Sequence, residues 1–303
     1  MRSNTGARRR KLANWMLILP LLLALPAASA DEDSDLRSPA FKTVPELTEG
    51  FRLLYGQKFP EARQKFDAWE SQQPDEPFGQ VAVAASYLFQ EFYVQGVLTS
   101  EFFLNEKRFL HGIEGKPDPE MMKNFDEAVA HARTLARQRL AKDSKDPEAF
   151  FTLTLAAGME ADADMILKKQ HLEALKRLKE ANDYAKQLLA EQPDAKDAYL
   201  ALGSANYIIG SLSGGTRFLL WFGGVHGDKK LGMQQLSETA AQGRYLQPMA
   251  KIMLALAARR EKQNALAQKL LRELSEQFPE SPLYAAEYAK AMGRPIPASL
   301  KAK

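Results

Sequence analysis

The 303-residue chain contains no cysteine. Disulfides, thiol nucleophiles, thiolate metal sites and a lipid-modified cysteine tether are therefore excluded. Histidine is scarce: His111, His131, His171 and His226 are the only four, and no two stand three or four positions apart. The helical metal pair that needs this spacing is missing. Nucleotide-binding loops, a nucleophile elbow and zinc-protease motifs are missing too. Gly214-Gly215 and Gly223-Gly224 follow no strand pattern, so neither is a phosphate fingerprint. His226 stands close to Asp228, but the loop around them is too loosely constrained to define a site. No alternation runs long enough for a strand. These absences predict a chain with no catalytic residues, no metal and no cofactor.

An excess of positive charge is also missing once the first residues are set aside. Residues 1–30 carry Arg2, Arg8, Arg9, Arg10 and Lys11 and no acid. Without them the balance of 41 basic against 38 acidic residues becomes 36 against 38, a formal charge of −2. Nucleic acid is therefore not an expected partner. The same thirty residues form a secretory signal. A basic start precedes the ten-residue apolar run Met16–Leu25, then the small-residue stretch Ala28-Ser29-Ala30, then Asp31-Glu32. Ten residues are too few to span a bilayer, which takes about 20. The expectation is a protein exported to the periplasm, or secreted, with cleavage after Ala30.

A spaced pattern recurs along the rest of the chain. Gly50, Phe59, Ala62, Phe66, Trp69 and Pro74 are separated by 9, 3, 4, 3 and 5 positions. Ala255, Asn264, Ala267, Leu271, Leu274 and Pro279 have the same separations. Ala181, Ala185, Leu188 and Pro193 repeat the last three. A small residue on one helix admits a second helix closely. Steps of 3 and 4 place the apolar residues on one face of that second helix, and the proline ends the pair. The pattern resembles the tetratricopeptide repeat. That resemblance implies an all-α, right-handed α-solenoid of about five helix pairs plus a capping helix.

Turn and cap signals place the pairs at 44–56 with 58–72, 77–99 with 118–142, 146–168 with 171–191, 195–211 with 228–243, and 247–260 with 262–277, closed by 281–292. Asp146-Pro147 and Ser281-Pro282 read as capped helix starts, and Thr43-Val44-Pro45-Glu46 as a capping box. The domain organisation is then a signal peptide at 1–30, a loose linker at 31–42, the helical domain at 43–293 and a tail at 294–303.

Two insertions break the pairs, near 101–117 and 211–227. The first holds Phe102 and Phe103. The second is glycine-rich and carries Arg217 and the apolar run Phe218-Leu219-Leu220-Trp221-Phe222. Insertions of this length are often functional. The run either folds back onto the inner face or docks a partner or lipid. Phe102, Phe103, Arg217, Phe218, Trp221 and Phe222 are the partner-binding candidates. Residues 208–236, with Gly210-Ser211-Leu212 and Gly227-Asp228-Lys229-Lys230-Leu231-Gly232, resemble a segment of the eukaryotic tetratricopeptide-repeat-39 and inclusion-body-clearance proteins. Residues 75–288, with Asp197-Ala198-Tyr199-Leu200-Ala201-Leu202-Gly203 and Gly243-Arg244-Tyr245-Leu246-Gln247-Pro248, resemble uncharacterised exported bacterial repeat proteins. Both resemblances imply a helical scaffold and supply no catalytic motif. In the 227–232 stretch, Gly227 permits a turn, Asp228 caps a helix and Gly232 allows close packing.

The charged clusters read as solvated helix faces, with an anionic partner or lipid headgroup as the alternative for the basic ones. They are the acids Glu160, Asp162 and Asp164, the bases Arg133, Arg137 and Arg139, and the stretch Lys168 to Lys179. The leading functional expectation is a non-enzymatic protein–protein interaction scaffold or adaptor in the bacterial cell envelope, holding a protein or peptide on its concave surface. The alternative is an apolar-ligand carrier or membrane-docking component, transporter-associated, that uses the 211–227 insertion.

Overall fold

The computed structural model describes residues 41, 43–212, 214–215 and 226–296. The expected signal segment, nearly all of the expected linker, the run 216–225 and the end of the tail lie outside them. Every regular element among the described residues is helical. The order is α1 (Pro45–Tyr55), α2 (Phe59–Glu70), α3 (Pro77–Val94), α4 (Ser100–Leu104), α5 (Glu106–His111), α6 (Pro119–Lys142), α7 (Pro147–Asp162), a π turn (Ala163–Leu167), α8 (His171–Glu191), a 3-10 turn (Lys196–Ala198), α9 (Tyr199–Ser211), α10 (Lys229–Gln242), α11 (Gln247–Arg260), α12 (Asn264–Gln277) and α13 (Pro282–Ala291). Consecutive helices pack: α1 on α2, α3 on α6, α7 on α8, α9 on α10, and α11 on α12.

Proline stands in the first turn of seven of these helices, where its missing N–H costs nothing. Asp118, Asp146, Asp228 and Ser281 accept backbone N–H bonds as N-caps. Thr43 does not form the expected capping box. Val44 occupies the N-cap of α1, and the Thr43 hydroxyl accepts from Arg244 instead. The first insertion is not a plain loop either: it folds into α4 and α5, and the Asn105 side chain caps α5.

The spaced residues do what the pattern requires. Ala62 and Phe66 are fully buried, and Trp69 nearly so. A Cβ at Gly50 would fall on the Phe66 ring, so α1 and α2 touch because position 50 has no side chain. Glycine also brings α9 against α10. A Cβ at Gly203 would stand 2.8 Å from the Leu236 nitrogen, and one at Gly232 2.5 Å from the Tyr207 nitrogen.

The two ends of the array meet. The Phe51 ring lies 5.0 Å from that of Tyr245, and the Tyr55 ring 6.1 Å from that of Phe278. The Tyr55 hydroxyl donates to the Tyr245 carbonyl at 3.0 Å. Asp197 fixes the turn that delivers Tyr245. Its carboxylate accepts from the backbone N–H groups of Arg244, Tyr245 and Leu246 at 2.9, 3.0 and 3.3 Å. Burial pushes that carboxyl up to about 6, against the pull of the three donors.

Two arginines tie neighbouring helices, contrary to the expected solvated face. The buried Arg133 on α6 bonds Glu160 on α7 and Glu180 on α8. The half-buried Arg139 bonds Asp146 at 2.8 Å and reaches Glu76 and the fully buried Glu148. The Lys168–Lys179 stretch keeps a solvated face: Lys176 and Lys179 are exposed and pair with the exposed Glu173 and Asp183 on the same helix, while the half-buried Lys168 reaches Asp126 and Asp164.

Candidate functional site: an apolar cavity inside the array

Helices α3, α7 and α9 carry apolar residues around most of their girth. Helix α3 buries Val81, Ala82, Val83, Ala84, Ala85 and Leu88. A helix of that kind must be covered on all sides. Its outer side is covered by the second helix of the pair, and its inner side faces a cavity of about 250 Å³. Helices α1, α3, α7, α9 and α11 all line it, with contributions from α4, α5, α8, α12 and α13. Outer helices α2, α6 and α10 contribute no lining residue.

The wall is apolar and soft. Met159, Met165, Met249 and Met253 reach it, beside Phe89, Phe92 and Leu155. Methionine adapts to irregular ligands because its chain is unbranched and its sulfur polarizable. Gly158 leaves space in the wall, since a Cβ there would meet nothing within 4 Å.

Few polar groups interrupt this surface, and most are already engaged. Arg259 donates to the Ser100 hydroxyl at 2.5 Å and stands 3.7 Å from Glu287. Glu287 also bonds Lys290 at 2.8 Å. Tyr55 and Asp197 are held by their contacts with the Tyr245 turn. The remaining charged side chain on the described wall is that of Asp162, at the end of α7.

Glu160, Asp162 and Asp164 were expected on a solvated face; the structure corrects this for the half-buried Glu160 and the buried Asp164 and leaves Asp162 exposed. The three carboxylates diverge. Glu160 is held by Arg133 and Asp164 by Lys168, whereas Asp162 faces the cavity. Asp162 is exposed, and the surface it exposes lines the cavity wall. Desolvation by the surrounding protein pushes its carboxyl up to about 7.

Of the partner-binding candidates, Phe102 and Phe103 are among the described residues. Phe102 is buried, 5.3 Å from the Phe103 ring and 6.4 Å from that of Phe109, with the Arg108 guanidinium over it. Phe103 is half-buried and lines the cavity. Arg217, Phe218, Trp221 and Phe222 lie outside the described residues. Sequence reasoning missed the cavity. The available signal was the all-round apolar character of α3, α7 and α9, with one carboxylate closing α7.

Among the described residues, no group of three or more histidine, aspartate or glutamate side chains is arranged to hold a metal ion. Within the same residues, no helix is long and apolar enough to cross a membrane. Comparison with protein-family models and with curated proteins finds no match.

Proposed function

We propose that the protein is a non-enzymatic binding protein of the bacterial envelope whose interior cavity takes up an apolar ligand the size of a single alkyl chain. The framework is a right-handed tetratricopeptide-like array of about five helix pairs with a capping helix. The observation that carries the proposal is the Met-rich cavity lined by α1, α3, α7, α9 and α11. Its volume exceeds the ~150 Å³ at which an apolar protein cavity stays dry and accepts benzene. Burial of alkyl surface there contributes about 25 cal/mol per Å².

A peptide held on the same inner surface fits less well. An extended or helical peptide needs polar partners for its backbone or a polar rim, and the wall's polar side chains are largely engaged by bonds within the protein. Export through the 1–30 segment is part of the proposal: a carrier for a poorly soluble molecule has its use in an aqueous compartment.

The test is calorimetric titration with decanol, together with the Gly158→Phe variant, which drives a ring into the space beside α7. The parent protein binds decanol and the variant does not, while both give the same helical circular dichroism. Absence of decanol binding to the parent overturns the proposal. Equal binding by a folded Gly158→Phe variant moves the site elsewhere and overturns it as well.

A further inference from the structure

The wall's charges separate into two kinds. Arg259 and Glu287 compensate each other in place, and Lys290 bonds the other oxygen of Glu287. The Asp197 carboxylate is saturated by three backbone N–H groups. Tyr55 and Tyr284 are neutral at physiological pH, their hydroxyls pushed up by burial. Among the described titratable residues of the wall, Asp162 alone meets neither a cation nor a hydrogen-bond donor.

We propose that Asp162 is the head-group anchor of the cavity, and that the ligand is an amphiphile with one alkyl chain ending in a protonated amine. This rests on the reading of the cavity as an apolar-ligand site. Asp162 is an exposed carboxylate at the edge of an apolar wall, and an alkyl chain laid on that wall takes water from it, which is costly unless the charge is paired. Where the protein supplies no partner, a ligand that brings an ammonium group restores the missing half of the ion pair. The alkyl chain then lies along the methionine and phenylalanine wall. An anionic head group lacks such a vacancy, because the guanidinium on the wall is already bound to Ser100 and Glu287. A neutral alcohol leaves the carboxylate's charge unmatched.

The position of the carboxyl's titration supports the geometry. No neighbouring charge contributes to it: Tyr55 on α1, Asp197 before α9, Arg259 on α11 and Tyr284 and Glu287 on α13 all leave it to burial alone. The nearest acids in sequence, Glu160 and Asp164, are neutralised by Arg133 and Lys168. Amine binding is therefore strongest where Asp162 is ionised, and it weakens as pH falls through about 7.

The experiment compares decylamine, decanol and decanoate by calorimetric titration at pH 8 and pH 5.5, with the parent protein and Asp162→Asn. At pH 8 decylamine binds roughly tenfold or more tightly than decanol or decanoate, the order of advantage that a desolvated charge pair gives. Asp162→Asn removes most of that advantage while still binding decanol and keeping the parent's helical circular dichroism, which shows that the variant is folded and its cavity intact. At pH 5.5 the parent protein shows the same loss. If decanoate binds tightest, the head group belongs to Arg259 and the proposal is overturned. If all three bind alike, or Asp162→Asn changes nothing, the cavity reading stands and the anchor does not. If none binds the parent protein, the cavity reading itself fails.

Discussion

The Arg52 guanidinium donates to Glu280 at 2.9 Å, joining α1 to the turn before α13 across 228 positions of sequence. The pair is partly exposed, and Arg52 is also held by Glu49. Exposed pairs contribute about 1 kcal/mol at most. Beneath it, the buried Tyr55 hydroxyl bonds the Tyr245 carbonyl, and the Tyr55 ring packs near Phe278. Arg52→Ala is expected to cost under about 1 kcal/mol of unfolding free energy. Tyr55→Phe is expected to cost about 1 kcal/mol, and Tyr55→Ala about 3–5 kcal/mol. Urea denaturation of the three variants checks the order. If Arg52→Ala cost most, the ends would be held by charge and not by packing.

Arg133 bridges three helices, with a side chain only 6% exposed against carboxylates 17% and 27% exposed. Its removal strands Glu160 and Glu180 in partly buried positions. Arg133→Ala is expected to cost about 3–5 kcal/mol. Burial raises the Glu180 carboxyl, but the Arg133 bonds outweigh it, and the group titrates below its usual 4.5. Its stabilising contribution is then complete above about pH 4.5 and lost as pH falls through the lower folded value. Denaturation measured from pH 7 to pH 3 should show the parent protein losing stability at the acid end. The difference between parent and variant should narrow there.

Two glycines in helices should respond oppositely to alanine. Gly232 sits against the Tyr207 backbone, and a methyl group there forces α9 and α10 apart, at about 1–3 kcal/mol. Gly158 sits inside α7 with open space beside it, so alanine gains helix propensity of roughly 0.5–1 kcal/mol. Thermal unfolding decides the matter: the midpoint should fall for Gly232→Ala and rise for Gly158→Ala.

Asp162 makes stability itself dependent on pH. Its carboxyl titrates at about 7 in the folded chain against 3.8 for an unperturbed aspartate. Between those values the folded state holds the proton and the unfolded state does not, so stability declines as pH rises from 4 to 7 and stays low above. Asp162→Asn removes the penalty. Solvent reaching the carboxylate through the cavity screens part of it, leaving about 1 kcal/mol. The variant's midpoint should match the parent's near pH 4 and exceed it at pH 8 by about 2–4 °C, the shift that 1 kcal/mol gives a domain of this size. A lower midpoint at pH 8 would mean that Asp162 has a partner after all.

Much of the helical order was legible in the residues themselves. The 3, 4 and 3 spacing of Phe59, Ala62, Phe66 and Trp69 needs only one helix and its neighbour, and Asp146, Asp228 and Ser281 cap within three residues of themselves. Local signals fail where the partner is distant. Thr43 resembles a cap because Glu46 follows it at capping-box spacing, yet its hydroxyl meets Arg244, 201 positions away. Arg133 resembles a solvated base because its partners sit 27 and 47 positions on.

The order of residues was enough to establish that the chain is helical, where its main helices begin and end, and which small residues let them touch. These depend on backbone geometry and on side chains within one or two turns of each other. It took tertiary packing to bring the ends together, to line a cavity with the inner helices, and to set Asp162 on its wall while Glu160 and Asp164 pair with Arg133 and Lys168. Positions 160, 162 and 164 have the same local character. What separates them is the apolar cavity that Asp162 lines and the Arg133 guanidinium that holds Glu160, which come into place only once the helices have packed, together with Lys168, which pairs with Asp164.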